Sequence, residues 1–391
     1  MNGTIAPLHA QITDAVLSGR VGRPENLAVL CADHLACRGR TELSGGWRDD
    51  GLAGAVAEAA MRGHHGDLDD IHWPTLTHPG SVVWPVVLGI AAVAPTPGVE
   101  VARAASAGYD MTAAVADVIA ASGVTGIHRT SVAGHAGAAI AAALLLGDGG
   151  GATDAVGLAL AVAGGVGQTI DERAAAGGFH RASAAVAGLH AARAARSGMS
   201  APSQVLEGRH GLVAMLGGAN PVAADLGQAV ADDTCLRVHP TNGFLQAAFE
   251  AVGVLAARAR GVPDEIEVVL HPAAIGALDD RWPRWTIASL RPAWVGPTAD
   301  AAGPRFTVVE GDVALGAALV RVVGEGVADE AIVGRDFTAS GRMGDATLAK
   351  WKALGLPSGH EVVDRLARQL GDDAPFSLAQ ALSTSGSHRS R

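Results

Sequence analysis

The sequence predicts a mainly α-helical protein with a smaller α+β part, on three observations. From about residue 8 to 230, apolar residues recur at three- and four-residue spacing with Gly, Pro, Ser or Asp at the breaks, which is the pattern of consecutive helices. Around residue 235 the texture changes to β-branched runs. After Asp336 helical spacing returns. In order, the spacing predicts helices over 51–62, 97–122, 131–146, 153–168, 180–197 and 222–231. The runs DEIEVVLHP (264–272) and PRFTVVEG (304–311) predict strands, with helices over 244–259 and 312–325 between and after them. Helices over 345–354 and 360–370 follow, and STSGSHRSR at the end is too polar to fold. Alanine and glycine dominate 131–200, so the helices there are expected to pack with their backbones close together.

Composition narrows the function classes. A chain of 391 residues, 49% apolar and 17% charged, can bury a large core and is long enough for two domains. A net charge of −10 without a basic stripe excludes nucleic acid and anionic membrane surfaces as expected partners. Small molecules remain. The three scattered cysteines, Cys31, Cys37 and Cys235, point to a reducing compartment rather than a disulfide framework. Cys31, His34 and Cys37 are spaced like metal ligands, but they sit in an apolar run with Leu27, Val29, Leu30 and Leu35 that reads as a buried helix face. MNGTIAPLHA has no signal-peptide pattern, and the apolar stretches near 82–94 and 138–146 fall short of the roughly 20 residues that span a bilayer. A cytoplasmic protein without membrane contact is expected.

The chemistry concentrates in HHGDLDDIHWPTLTHPGS (64–81), with four histidines and three aspartates. These side chains are metal ligands as well as acids and bases. A metal-dependent hydrolase would use His64, His65, Asp69, Asp70 and His72, but no H-E-x-x-H-like helical spacing is present, so no metal is expected. His64 and His65 read as surface or helix-end residues, and Asp69 and Asp70 as residues that shape the loop by capping. Other histidines stand at helix starts. His78-Pro79 precedes a helix running from Ser81, His128 precedes a Thr130/Ser131 cap, and His180 opens a further helix. Helix N-termini offer free N–H groups and partial positive charge, which suits carboxylates, and the same field favours a neutral, basic imidazole.

Taken together, DLDDIHWPTLTHPGSVVWPVVLGIA (67–91), GYDMTAAV (108–115), GIHRTSVAGHAGAAIAAALLLG (126–147), AVGLALAVAGGVG (155–167) and FHRASAAVAGLHAARAARSGMSAP (179–202) resemble the MmgE/PrpD family. That family includes 2-methylcitrate dehydratase, cis-aconitate decarboxylase and iminodisuccinate epimerase. A weaker echo, RVHPTNGFLQAAFEAV (237–252), resembles the family segment that opens its smaller domain. The resemblance implies a large all-helical domain (1–234, with 339–383 returning to it), a smaller α/β lid domain (235–338) and a disordered tail (384–391). It also implies a homodimer and cofactor-independent chemistry on a small organic acid or carbonyl substrate, by dehydration, decarboxylation or epimerisation.

Carried over residue by residue, the resemblance makes His78 the base, with Asp67 and His128 positioning it or acting as acid. Arg237, His180, Arg181, Asn242, His72 and Trp294 become candidate substrate-binding residues. The departures are Ile71 where the family often has threonine, Gly177 and Arg237 where it has lysine, Asn242 where it has histidine, and Trp294 where it has tyrosine. Lysine, histidine and tyrosine exchange protons; glycine, asparagine and tryptophan do not, and arginine stays charged. The chain's two lysines, Lys350 and Lys352, lie near the C-terminus, so a lysine acid or a Schiff base is not expected. Trp73, Trp84 and Trp294 raise an alternative, a biosynthetic isomerase, cyclase or dehydratase acting on a larger, partly apolar intermediate, although Trp84 also reads as plain core. A non-catalytic binding protein on the same fold is the remaining alternative.

Overall fold

The computed structural model describes residues 7–38, 51–64, 67–147, 151–172, 176–222, 229–239, 241–296, 303–323, 329–334 and 359–382. The described residues fall into two units, one drawn from 1–65, 69–234 and 343–391, the other from 66–68 and 235–342. The fold is mainly helical with a small mixed sheet, as the alternating texture of the sequence predicts.

The helical unit contains α1 (Leu8–Ser18), α2 (Pro24–Arg38), α3 (Leu52–His64), α4 (Gly80–Val93), α5 (Gly98–Ala121), α6 (Arg129–Leu146) and α7 (Ala152–Leu160). It continues through the short α8 (Gln168–Asp171), the long α9 (Ala176–Arg196), the single turns α10 (Leu212–Met215) and α11 (Val230–Asp233), and the helix Gly359–Leu370, which packs on α2 and α5. At its centre stands α6, surrounded by α4, α5, α7 and α9. It is the one helix among the described residues with the length and apolarity to cross a bilayer, and most of it is buried inside the protein. Small residues bring these backbones together. A Cβ on Gly137 would overlap Thr112 Oγ1 and stand 2.6 Å from the Gly108 carbonyl, and one on Gly188 would overlap Ala138. The alanine-rich core of Val56, Val82, Val86, Ile90, Ala138, Ala142, Ala185 and Leu189 fills the space between α3, α4, α6 and α9.

Several boundaries differ from the spacing. The predicted helix 153–168 stops at Leu160, because AVAGGVG turns back on the chain before α6: Gly165 adopts φ +153°, His128 N–H donates to Gly165 O at 3.0 Å, and Gly167 N–H donates to Gly126 O at 2.8 Å. The helix expected from residue 180 starts at Ala176. Of the predicted helix 222–231 the described part is the turn α11, with 223–228 outside the described residues. The predicted helix 345–354 and the tail 384–391 also lie outside them.

In the second unit, β1 (Glu265–Leu270), β2 (Arg305–Glu310), β3 (Ala318–Val323) and β4 (Glu330–Val333) form a sheet in the order β2-β1-β3-β4. β1 and β2 run parallel with Glu265 opposite Arg305, whereas β3 is antiparallel to both β1 and β4. α12 (Gln246–Arg258) packs on β3 and β4 through a core that includes Ala248, Val252, Leu255, Ile266, Val268 and Val320. The helix predicted over 312–325 is wrong: ALVRVV forms β3 instead. Its alternating valines and leucine suit a pleated strand between two partners, and that pairing overrides the three-and-four spacing upstream.

Candidate functional site

The loop before α4 is tied together by Asp70. Its carboxylate accepts the Gly80 N–H at 3.1 and 3.2 Å, capping α4, and the Tyr109 hydroxyl donates to it at 2.5 Å. Tyr109 in turn accepts the Trp84 indole N–H at 3.1 Å. Burial pushes the Asp70 carboxyl up to about 7, the Tyr109 hydrogen bond pulls it down, and the nearby Asp69 and Asp33 carboxylates push it up further. Burial also raises Tyr109 well above its ordinary value, and the Asp70 charge adds to the effect. The N-terminal cap of α4 is thus supplied by an aspartate eight residues before His78. His72 and Thr77 close the loop through paired backbone bonds, and His72 Nδ1 lies 2.8 Å from Thr75 Oγ1.

This loop sets the chemistry of His78. Its Nδ1 is 2.6 Å from the Asp70 carbonyl oxygen. A carbonyl only accepts, so Nδ1 carries a proton, and in the neutral ring Nε2 is the nitrogen with the lone pair that a base needs. The ring is half-buried, and its backbone N–H donates to Thr130 Oγ1 at 3.1 Å, which joins the start of α4 to the start of α6.

His128 caps α6. Its Nδ1 accepts the Ser131 N–H at 3.1 Å, and Arg181 Nη1 stands 3.2 Å from its Nε2. Burial, then the Arg181 charge, then His64, His78 and His180 push its pKa down to about 2. The ring is therefore neutral and has one lone pair, so it can bond only one of those two donors at a time. Ser131 N–H has the His128 carbonyl at 3.0 Å as its other acceptor. The same interactions show that His64, His78, His180 and Arg181 all lie close enough to bias His128.

Arg181 is 1% exposed and orders the cluster from α9. It donates to Ser81 Oγ and the Gly177 carbonyl at 3.0 Å each, and its Nε is 3.5 Å from Asp69 Oδ2. Asp69, also buried, has His64 Nδ1 3.3 and 3.4 Å from its two oxygens. The His180 and His128 rings meet edge to face at 5.4 Å. Rather than opening α9, His180 lies one turn inside it, and its pKa is lowered by burial and then by Arg181. His135 adds a further neutral-leaning imidazole. Its Nδ1 donates to the Ser131 carbonyl at 2.7 Å, and burial lowers its pKa against that bond. Such an arrangement can take up a proton at His78 Nε2, in a cluster where His128, His135 and His180 are all biased toward the neutral form.

Sequence reasoning missed four of these residues. His64, read as a surface or helix-end residue, does end α3, but it turns into the cluster against Asp69. Asp69, a loop-shaping residue by its place in the sequence, is also an ion-pair partner of Arg181. His135 was visible as a helical neighbour of His128 and Ser131 at positions i+7 and i+4. Nothing local signalled Tyr109. Trp84 is fully buried with its indole on Tyr109, so it is core rather than pocket wall, and Ile71 is buried too. Among the described residues no group of three or more His, Cys, Asp or Glu is placed to hold a metal; His65 and the Cys37 side chain lie outside them.

The remaining candidates belong to the second unit. Asp67 lies in its 66–68 segment, half-buried, with φ +57° in the left-handed region. Arg237 is 3% exposed. Asn242 is wholly buried and caps the turn Gly243–Leu245 by accepting from the Phe244 and Leu245 N–H groups at 2.8 and 3.2 Å. Trp294, on the short helix Arg291–Val295, packs against the apolar core under the sheet. His239 Nε2 is 3.0 Å from Glu250 and its ring stacks on Phe249.

Residues 30–225, half of the chain, match the MmgE/PrpD N-terminal domain. The match spans the Asp70 loop and the starts of α4, α6 and α9, whereas Arg237, Asn242 and Trp294 lie beyond it. No curated protein matches the chain. The helical unit that carries the histidine cluster is thus the part that the family model describes, and the chain belongs to the MmgE/PrpD family, whose members are dehydratase- and lyase-like.

Proposed function

We propose that the protein is a cofactor-independent lyase that removes a proton next to a carboxylate or carbonyl of a small organic acid, with elimination of water as the favoured outcome. The observation that carries this reading is His78 Nδ1 at 2.6 Å from the Asp70 carbonyl, which leaves the lone pair on Nε2. In this reading His78 Nε2 takes the proton. The starts of α4 and α6 supply positive potential for a substrate carboxylate. His128, held neutral, exchanges hydrogen bonds rather than charge with the substrate. Asp67, Arg237, His180, Arg181, Asn242 and His72 complete the proposed site, with Arg237 as the carboxylate clamp, whereas Trp294, packed against the apolar core of the second unit, drops out of it.

The alternative of a larger, partly apolar intermediate rests on the lost proton-exchanging groups and on the tryptophans; Trp84 and Trp294 both pack into core, which favours a small acid. The proposal further takes the protein as a cytoplasmic homodimer, with 1–234 and 339–383 as helical domain and 235–338 as lid. The test is proton NMR in deuterated water on a panel of hydroxy di- and tricarboxylic acids. Wild-type protein is expected to exchange the proton next to a carboxylate, and His78→Gln to lose about 10²- to 10⁴-fold of that rate. Full rate in His78→Gln would sink the assignment.

A further inference from the structure

The proposed base accounts for one proton of an elimination; the oxygen that leaves needs another. The cluster holds an imidazole with the matching geometry. His64, the last residue of α3, directs Nδ1 at both oxygens of Asp69, at 3.3 and 3.4 Å. That carboxylate is 3% exposed, and its Oδ2 also stands 3.5 Å from Arg181 Nε. A carboxylate accepts, so Nδ1 carries a proton and the opposite nitrogen, Nε2, is the one that gives and takes protons. Nε2 faces Gly177 in the first turn of α9, where a Cβ would stand 3.2 Å from it and 3.6 Å from Arg181 Nη1. Alanine there would crowd the imidazole, whereas glycine lets the ring stand close against the helix backbone. The His64 side chain is 21% exposed, enough for its proton to be replaced from solvent.

We infer that His64, oriented by Asp69 and with Nε2 standing against Gly177, is a second proton-transfer residue of the site, the acid to His78's base. The inference rests on the lyase reading above. In the step, the C–H bond next to the carboxylate breaks, its proton goes to His78 Nε2 and the electron pair stays on carbon. That pair forms the C=C bond as the C–O bond on the neighbouring carbon breaks. The departing hydroxyl takes the proton from Nε2 of protonated His64 and leaves as water. His78 ends protonated and His64 neutral, and solvent resets both.

The experiment uses the full chain and the same panel of hydroxy acids in deuterated water, with solvent exchange and net elimination read separately. His64→Gln is expected to lower elimination about 10²- to 10⁴-fold while exchange at carbon persists. Gly177→Ala, which leaves His64 in place, is expected to lower elimination in the same selective way. In nitrogen-15 histidine spectra it should move the His64 Nε2 signal more than that of His78. If both variants eliminate at the wild-type rate, His64 is not the acid and the His78 reading stands alone. Wild-type protein that exchanges no proton of any acid in the panel overturns both readings.

Discussion

Asp70 offers the sharpest test of the electrostatics beneath the site. Its carboxyl is 3% exposed and is raised from 3.8 to about 7, chiefly by burial. The folded state therefore holds a proton that the unfolded chain releases near its ordinary value. The resulting stabilisation is fully present below the unfolded pKa and is lost as pH rises through the folded one. At 1.36 kcal/mol per unit, a gap of about three units amounts to about 4 kcal/mol in full, of which about 3 kcal/mol disappears between about pH 5 and pH 8. Asp70→Asn has no proton to lose and keeps an acceptor for the Gly80 N–H. Urea unfolding followed by circular dichroism at the two pH values measures both proteins. The wild-type stability minus that of Asp70→Asn is expected to fall by about 3 kcal/mol across the interval. Asp110 is also raised to about 7, but it is present in both proteins and cancels. A difference that stays flat with pH would refute the buried, proton-holding Asp70.

Three further outcomes are expected. Gly137→Ala, whose Cβ would overlap Thr112 Oγ1, should cost about 1–3 kcal/mol in thermal or urea unfolding by pushing α5 from α6; an unchanged midpoint would contradict the close helix contact. Arg181→Met takes a buried cation away from the buried Asp69 and should cost about 3–5 kcal/mol, with Asp69→Asn in the same chain recovering part of the loss; strictly additive losses would contradict the pairing. His128, with its pKa pushed down to about 2, should keep neutral-imidazole nitrogen shifts from about pH 5 to pH 9, and an imidazolium signal in that range would show that Arg181 does not face it.

The sequence made the helical unit legible because its periodicity is strong and its punctuation sits at helix ends. His78, His128 and His180 were readable as helix-start residues, and the starts of α4 and α6 do meet, through the His78 N–H and Thr130 Oγ1, while His180 lies one turn inside α9. What periodicity could not supply was long-range pairing. Tyr109 reaches Asp70 across 39 positions, and Asp69 reaches Arg181 from α9, so neither bond leaves a trace in local spacing. β3 was misread for a related reason: its state depends on the strands beside it. Likewise AVAGGVG keeps a helical apolar pattern, yet Gly165 and Gly167 spend it on a turn that fixes His128.

The acceptor that orients His78 is a main-chain carbonyl. Every amino acid placed at position 70 would bring the same oxygen, so no single replacement there deletes the group that sets the imidazole's tautomer. The vulnerability moves from side-chain identity to chain path. An insertion or deletion between 70 and 78, which changes the length of that short bridge, is the kind of mutation that would disarm His78, whereas exchanges of residue type along it would be filtered mainly by folding.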